Sequence, residues 1–246
     1  MNSVITAFQF LTVFPTFKKP QVDEKSFARS VKFFPLVGVF LACILSLAYL
    51  VLRIKFSDET SCAVLVVLLV FFTKGLHLDG LSDSFDALLS GRSREEMLGI
   101  MKDHHSGALG TAVLVCVLLL KVFLLVEVYQ YLKIPALFLM LAGSRSGMSL
   151  LLGYLPYLRG PEGLGYVFQR GLKIWDWGIA VLIGLLVALI TFQWIGMAVF
   201  FLSLASIWIF GLYVKRKLGG ITGDICGAAN EIGEVLFLFW FRIFLQ

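Results

Sequence analysis

An all-α membrane bundle is what this sequence predicts: a polytopic bundle of about six or seven spans, with an N-terminal interfacial or re-entrant helix. Residues 1–246 are expected to form a single integral membrane enzyme domain. Three observations carry this. Hydrophobic residues make up 59% of the chain and charged residues only 15%, where a soluble domain carries about 25% charged. Mean hydropathy is +0.90. Apolar runs long enough for a bilayer recur from end to end. They show no period of two, so a barrel of alternating strands is excluded. A helix also satisfies its own backbone in lipid.

The elements follow in order. "VITAFQFLTVF" is too short to span and ends near Pro15; the polar link "KKPQVDEKSFARSVK" follows. Spans are expected at 36–54, 61–76, 109–128 and 134–152, the last ending before Pro156. Two more are expected at about 177–191 and 193–214. The segment 231–244 is short: a seventh span or a helix packed inside the bundle. No internal repeat or low-complexity segment is evident.

Charge orients the chain. If every segment crosses, one side collects Lys18, Lys19, Lys25, Arg29, Lys32, Lys74, Arg92, Arg94, Lys102, Arg159, Arg170, Lys173, Lys215, Arg216 and Lys217. The other receives Arg53, Lys55, Lys133 and Arg242. The positive-inside bias places the first side in the cytoplasm. The net charge of +5 has no basic face or aromatic interleaving behind it, so nucleic acid is not an expected partner. Membrane lipid is. Cys43, Cys62 and Cys116 read as small hydrophobes, and Cys226 as a bystander; none has metal spacing. The N-terminus lacks the basic start of a cleavable signal peptide.

The polar motifs all fall on the positive side. In "GLHLDGLSDSFDALLSGRSREEMLGIMKDHHSG", Asp79, Asp83 and Asp86 stand at i, i+4 and i+7 and share one helical face. Like charges beside a low-dielectric layer repel. A hard divalent cation, Mg²⁺ by preference, offsets that repulsion and leaves positions for phosphate oxygens. Asp103 lies within reach beyond a basic link. A solvated helix end and a cation pathway are the other readings of the same acids. His77, two residues before Asp79, points elsewhere on a helix; it suits a proton acceptor or a helix-end hydrogen bond. Arg145 lies inside a span, where it needs an anion or an internal ion pair. Lys121 and Glu127 share a span six residues apart, which is not a pairing distance along a helix. Gly107 and Gly110 permit close helix contact. "GYLPYLRGPEGLGYVFQR" offers Arg159 and Gly163 to a phosphate. "KRKLGGITGDICGAANEIGE" offers Gly220, Thr222, Gly223 and Asp224, although no P-loop string is present.

At these motifs the chain resembles cobalamin synthase, the adenosylcobinamide-GDP ribazoletransferase family. The family's acidic signature G-x-H-L-D-G-L-A-D-x-x-D-G is matched from Gly75 to Ala87, with Ser82 in place of Ala. Its M-K-D-S-R-x-G string is matched by Met101, Lys102 and Asp103 through Gly107, with His104 and His105 where Ser and Arg usually stand. The R-P-x-G-L-G element is matched from Arg159 to Gly165 with one extra residue, and G-G-x-T-G-D-x-x-G-A from Gly219 to Ala228. Glu231 and Glu234 follow, as the family's downstream acids do. The resemblance covers nearly the whole chain.

The resemblance implies a multi-pass enzyme of the cytoplasmic (inner) membrane with its active site facing the cytoplasm. It implies that adenosylcobinamide-GDP and α-ribazole, or α-ribazole 5′-phosphate, give adenosylcobalamin, or its 5′-phosphate, and GMP. Asp79, Asp83 and Asp86, with Asp103 and Asp224, would hold Mg²⁺. One of the first three or His77 would take the attacking proton. Lys102, His105, Arg145 and Arg159 would meet phosphate, with Gly163, Gly220, Thr222 and Gly223 alongside. His105, uncharged much of the time near neutrality, would hold phosphate less strongly than arginine. The rivals are a CDP-alcohol phosphotransferase-like enzyme, whose motif order is missing, a cation or proton-coupled transporter, and a structural scaffold. Oligomeric state is left open, a homo-oligomer included.

Overall fold

The computed structural model describes residues 3–14, 24–103, 107–158, 167 and 171–245. Its elements are α1 (Ser3–Leu11), α2 (Glu24–Ala28) running through a 3-10 turn into α3 (Phe34–Leu52), α4 (Asp58–Phe72), α5 (Leu76–Leu89), α6 (Arg94–Ile100), α7 (Ala108–Glu127), α8 (Lys133–Tyr154), α9 (Ile174–Leu218) and α10 (Gly223–Phe244). No strand forms among the described residues; one isolated bridge joins Tyr157 to Ile221.

Among the described residues, four helical segments are long and apolar enough to cross a bilayer, and five if the bent pair α4–α5 counts as one span. The polytopic all-α bundle of the sequence reading stands on these. Length and composition alone do not reach six or seven, because α9 counts once and α10 carries Asp224, Glu231, Glu234 and Arg242.

Helix α8 is the axis. In an 18-residue apolar stretch through it 83% of the residues are buried, against 17% in the corresponding stretches of α7 and α9. It packs on α3, α9 and α10. The outer faces carry Leu47, Val51, Phe71, Phe123, Leu182, Ile190, Phe201 and Ile209, all exposed. An apolar surface so extensive needs lipid against it.

Two breaks shape the bundle. Helix α9 has 45 residues, but Phe192 (φ −140°) and Gln193 (φ 49°) leave the helical region. A Cβ on Gly184 would lie 2.8 Å from Phe200 Cε2; in a straight helix those residues stand about 24 Å apart. The chain therefore doubles back at Phe192–Gln193. The second break lies between α4 and α5, which meet at 90°. Lys74 (φ 57°) and Gly75 (φ 63°) are both left-handed there. The backbone freed by the bend is satisfied locally: Val13 N–H donates to the Phe72 carbonyl (2.8 Å), and Thr73 Oγ1 to that of Leu69 (2.9 Å). Broken helices in a membrane need that compensation. It also explains the N-terminal helix. At nine residues α1 is too short to cross, and it brings Val13 to the bend.

The loops gather at two ends. At one, Lys217 Nζ donates to the Leu88 carbonyl (3.1 Å), Ile221 N–H to that of Pro156 (2.8 Å), and Lys32 pairs with Asp176 (3.7 Å). At the other, Arg242 pairs with Glu127 (3.1 Å) and Lys133 with Asp58 (2.8 Å).

Candidate functional site

Helix α5 lies on the first turns of α10 because glycines remove the side chains between them. A Cβ on Gly80 would sit 2.8 Å from the Asp224 carbonyl oxygen, and one on Gly227 3.2 Å from His77 Cα. This contact splits α5 into two faces. His77, Leu81, Ser84 and Leu88 are buried. Asp79 is exposed, and Asp83 and Asp86 are half-buried. The shared acidic face expected from the spacing is present.

Its three acids differ in what they do. Asp86 accepts the backbone N–H groups of Gly107 (2.7 Å) and Gly110 (2.8 Å), one on each carboxylate oxygen. It caps α7, whose first residues supply no side-chain cap. Side chains at either glycine would collide with Asp86. Asp79 faces an open cleft of about 470 Å³, which Phe10, Lys74, Ser82, Thr111 and Leu114 also line.

The glycine-rich link closes the same end. Gly219 ends α9 in a left-handed conformation (φ 86°). Ile221 is pinned between Pro156 and Leu158 by backbone hydrogen bonds. Thr222 caps α10, accepting from Ile225 N–H (3.3 Å), and its hydroxyl reaches Asp224 Oδ2 (3.3 Å). Gly220 is buried and Gly223 exposed. Thr222 Oγ1 also lies 3.8 Å from Met101 Sδ. That contact brings the exposed Lys102 and Asp103, which follow α6, to this side of the bundle. His105, Arg159 and Gly163 lie outside the described residues.

Behind α5 is a charge network that sequence reasoning did not assemble. Lys121 of α7 pairs with Glu231 and, at 2.6 Å, with Glu234 of α10. Arg145 of α8 pairs with Glu234 (3.0 Å). Asn230 Nδ2 lies 3.1 Å from Glu234 Oε1 and 2.9 Å from His77 Nδ1. All six side chains are buried. Of the two roles open to Arg145, the internal ion pair is the one formed. Lys121 and Glu127 take separate partners, Glu127 pairing with Arg242 at the far end. The available signals were a lysine inside an apolar span, and Asn230, Glu231 and Glu234 on one helical face.

With this geometry in hand, comparison with known proteins is informative. The family model for cobalamin-5-phosphate synthase matches residues 3–242. The chain belongs to this family. An adenosylcobinamide-GDP ribazoletransferase of Desulfitobacterium hafniense is 38% identical over 245 residues, covering 97% of this chain and 95% of that protein. One of Caldanaerobacter subterraneus subsp. tengcongensis is 32% identical, covering 99% and 98%. One of Escherichia coli K12 is 36% identical, covering 88% and 89%. No solved structure matches.

The family resemblance implies Mg²⁺. Among the described residues, no three of His, Cys, Asp or Glu come together as a metal-holding group. A full protein cage is therefore not what these residues form. Mg²⁺ does not require one: one or two carboxylates suffice when substrate phosphates complete the shell. Asp79 and Asp83, one turn apart, meet that description. Asp86 meets it less well, since both its oxygens are engaged on α7.

Proposed function

We propose that this chain joins adenosylcobinamide-GDP to α-ribazole or its 5′-phosphate, giving adenosylcobalamin or its 5′-phosphate and releasing GMP. The observation that carries the reading is the near full-length match to the family, together with an acidic α5 face beside an open cleft. In the reaction a ribazole hydroxyl oxygen bonds to the cobinamide-bearing phosphorus. The bridging P–O bond breaks, its electron pair leaves with GMP, and the hydroxyl proton passes to a carboxylate. Such transfers depend on alignment and charge neutralisation more than on covalent help. Asp79 and Asp83, with Asp103 and Asp224 as further candidates, would hold Mg²⁺, which would supply charge stabilisation for the diphosphate.

One of the α5 carboxylates is the proposed acceptor for the hydroxyl proton. Lys102, and Arg159 and His105 in their segments, bind phosphate oxygens. Gly163, Gly220, Thr222 and Gly223 shape the backbone around them. Asp86 acts by fixing α7 against α5. The same reading counts the two arms of α9 and the whole of α10 as crossings; with α3, α4–α5, α7 and α8 this reaches the upper of the two predicted span counts. The basic residues at the site end, Arg92, Arg94, Lys102, Lys173 and Lys215 to Lys217, support a cytoplasmic placement of that end.

The experiment is reconstitution in lipid with adenosylcobinamide-GDP, α-ribazole 5′-phosphate and Mg²⁺. The reading expects GMP and a corrinoid 5′-phosphate in equal amounts. Ion flux with no GMP would replace it with transport.

A further inference from the structure

The bend between α4 and α5 places a lysine where glycine is the easier residue. Lys74 holds φ 57°, followed by Gly75 at φ 63°. The left-handed region disfavours a side chain and suits glycine. Topology accounts for a basic residue at this end of the bundle, but not for one at a left-handed position. Outliers of this kind gather at functional sites.

Lys74 lines the open cleft of about 470 Å³ beside α5. Among the described residues that line it, Lys74 is the only cation and Asp79 the only anion. Both are exposed, so a ligand entering the cleft meets them directly. They stand five residues apart across the start of α5 and form no ion pair with each other. Neither side chain has a hydrogen bond or ion pair among the described residues. The Thr111 hydroxyl, by contrast, donates to the Gly107 carbonyl (2.8 Å) and has no proton left for an anion. Gly75 and Leu76 open α5 on the same cleft, and no side chain caps that helix. Its positive end adds to the ammonium. Phe10 and Leu114 supply apolar wall, which strengthens the field of the charges beside it.

An unpaired ammonium and an unpaired carboxylate on one cleft suit a ligand with an anionic side and a cationic side. A phosphate carrying a divalent cation is such a ligand. We propose that Lys74 is a substrate-binding residue whose ammonium meets a phosphate oxygen in this cleft, while Asp79 serves the cation. The proposal rests on the transferase reading above. It adds a residue that lies one position before the matched acidic signature. Two phosphates qualify: the diphosphate of adenosylcobinamide-GDP and the 5′-phosphate of the acceptor.

Lys74→Met removes the charge and keeps most of the stem; Lys74→Arg keeps the charge. Lys74→Met is expected to lose about tenfold or more in kcat/KM, mainly through KM, and Lys74→Arg to retain most of it. The KM that rises names the source. For the diphosphate it is that of adenosylcobinamide-GDP, with either acceptor. For the acceptor it is that of α-ribazole 5′-phosphate, with α-ribazole unaffected. No loss in Lys74→Met, or equal loss in both variants, would overturn the proposal. Lys74→Gly gives a readout that a merely structural lysine would not: the melting temperature rises while kcat/KM falls. A second measurement needs no turnover. Wild type in Mg²⁺ is acylated with an amine-reactive ester, and each lysine is followed by mass spectrometry. Inorganic phosphate or pyrophosphate is expected to slow acylation of Lys74 severalfold and to leave Lys55, exposed at the far end, unchanged. Unaltered labelling of Lys74 with both anions would refute the contact. If the transferase reading itself is wrong, wild type releases no GMP while this protection persists, so the two failures are distinguishable.

Discussion

Two groups of buried charge hold this bundle together, and they are built differently. At the far end, Asp58 opens α4. Its Oδ1 accepts from Tyr49 (2.7 Å) and its Oδ2 from Lys133 (2.8 Å), while Lys133 also donates to the Leu125 carbonyl. The polar side-chain atoms of Tyr49, Asp58 and Lys133 all have partners, and this group ties the ends of α3, α4, α7 and α8; at the same end Arg242 Nη1 has none among the described residues. At the site end, Lys121, Arg145, Glu231 and Glu234 balance in charge, yet His77 Nε2, Asn230 Oδ1, and Nε and Nη2 of Arg145 have no partner among the described residues. A closed group needs nothing else and is explained by structure. An open one retains donors and acceptors for which structure gives no reason. The contrast supports the proposal that the site end is the working end.

The sharpest way to break this contrast is to unbalance each group in turn. Lys121→Met leaves Glu231 and Glu234 with Arg145 alone. It is expected to cost about 3–5 kcal/mol, seen as a large fall in melting temperature in detergent. Lys121→Met/Glu231→Gln restores neutrality and should recover much of that loss. Lys133→Met should cost less, about 2 kcal/mol, because Asp58 keeps Tyr49 and its side chain is 15% exposed. Its GMP release per folded molecule should match wild type; a fall in kcat would end the division into structural and working ends. Lys74→Gly tests the bend between α4 and α5. A left-handed lysine costs about 1 kcal/mol relative to glycine, so this variant should melt higher. A lower melting point would mean that the lysine side chain holds the bend.

Smallest is an exposed reference outside both groups. Backbone and hydroxyl hydrogen bonds from Ser93 hold the Glu96 carboxyl below its ordinary 4.5. A depressed carboxyl contributes stability above its unfolded value and loses it as pH falls through the folded one. Amide protection at the start of α6 should thus be level near neutrality and decline only below about pH 4.5.

What the sequence made legible follows what hydropathy records. Helices α7 and α8 begin and end within two residues of their expected bounds, because each is a continuous apolar run. Helix α10 begins at Gly223, eight residues before the apolar segment expected at 231. Asn230, Glu231 and Glu234 look like a loop until Lys121, Arg145 and His77 arrive from other helices to pair them. Lys121 and Glu231 stand 110 residues apart, and no local pattern announces that meeting. The acidic face of α5 was legible because i, i+4 and i+7 is a local rule. The capping role of Asp86 was not, since it depends on α7 folding back over it.

The most direct test of the account is GMP release against Mg²⁺ concentration in wild type and Asp83→Asn, with melting temperatures measured on the same preparations. Loss of a ligand to a catalytic cation removes several kcal/mol of transition-state stabilisation, on the order of 100-fold or more in rate. The account predicts that loss and a weaker Mg²⁺ dependence in protein that still melts cooperatively. Wild-type rate and Mg²⁺ dependence in Asp83→Asn would contradict it.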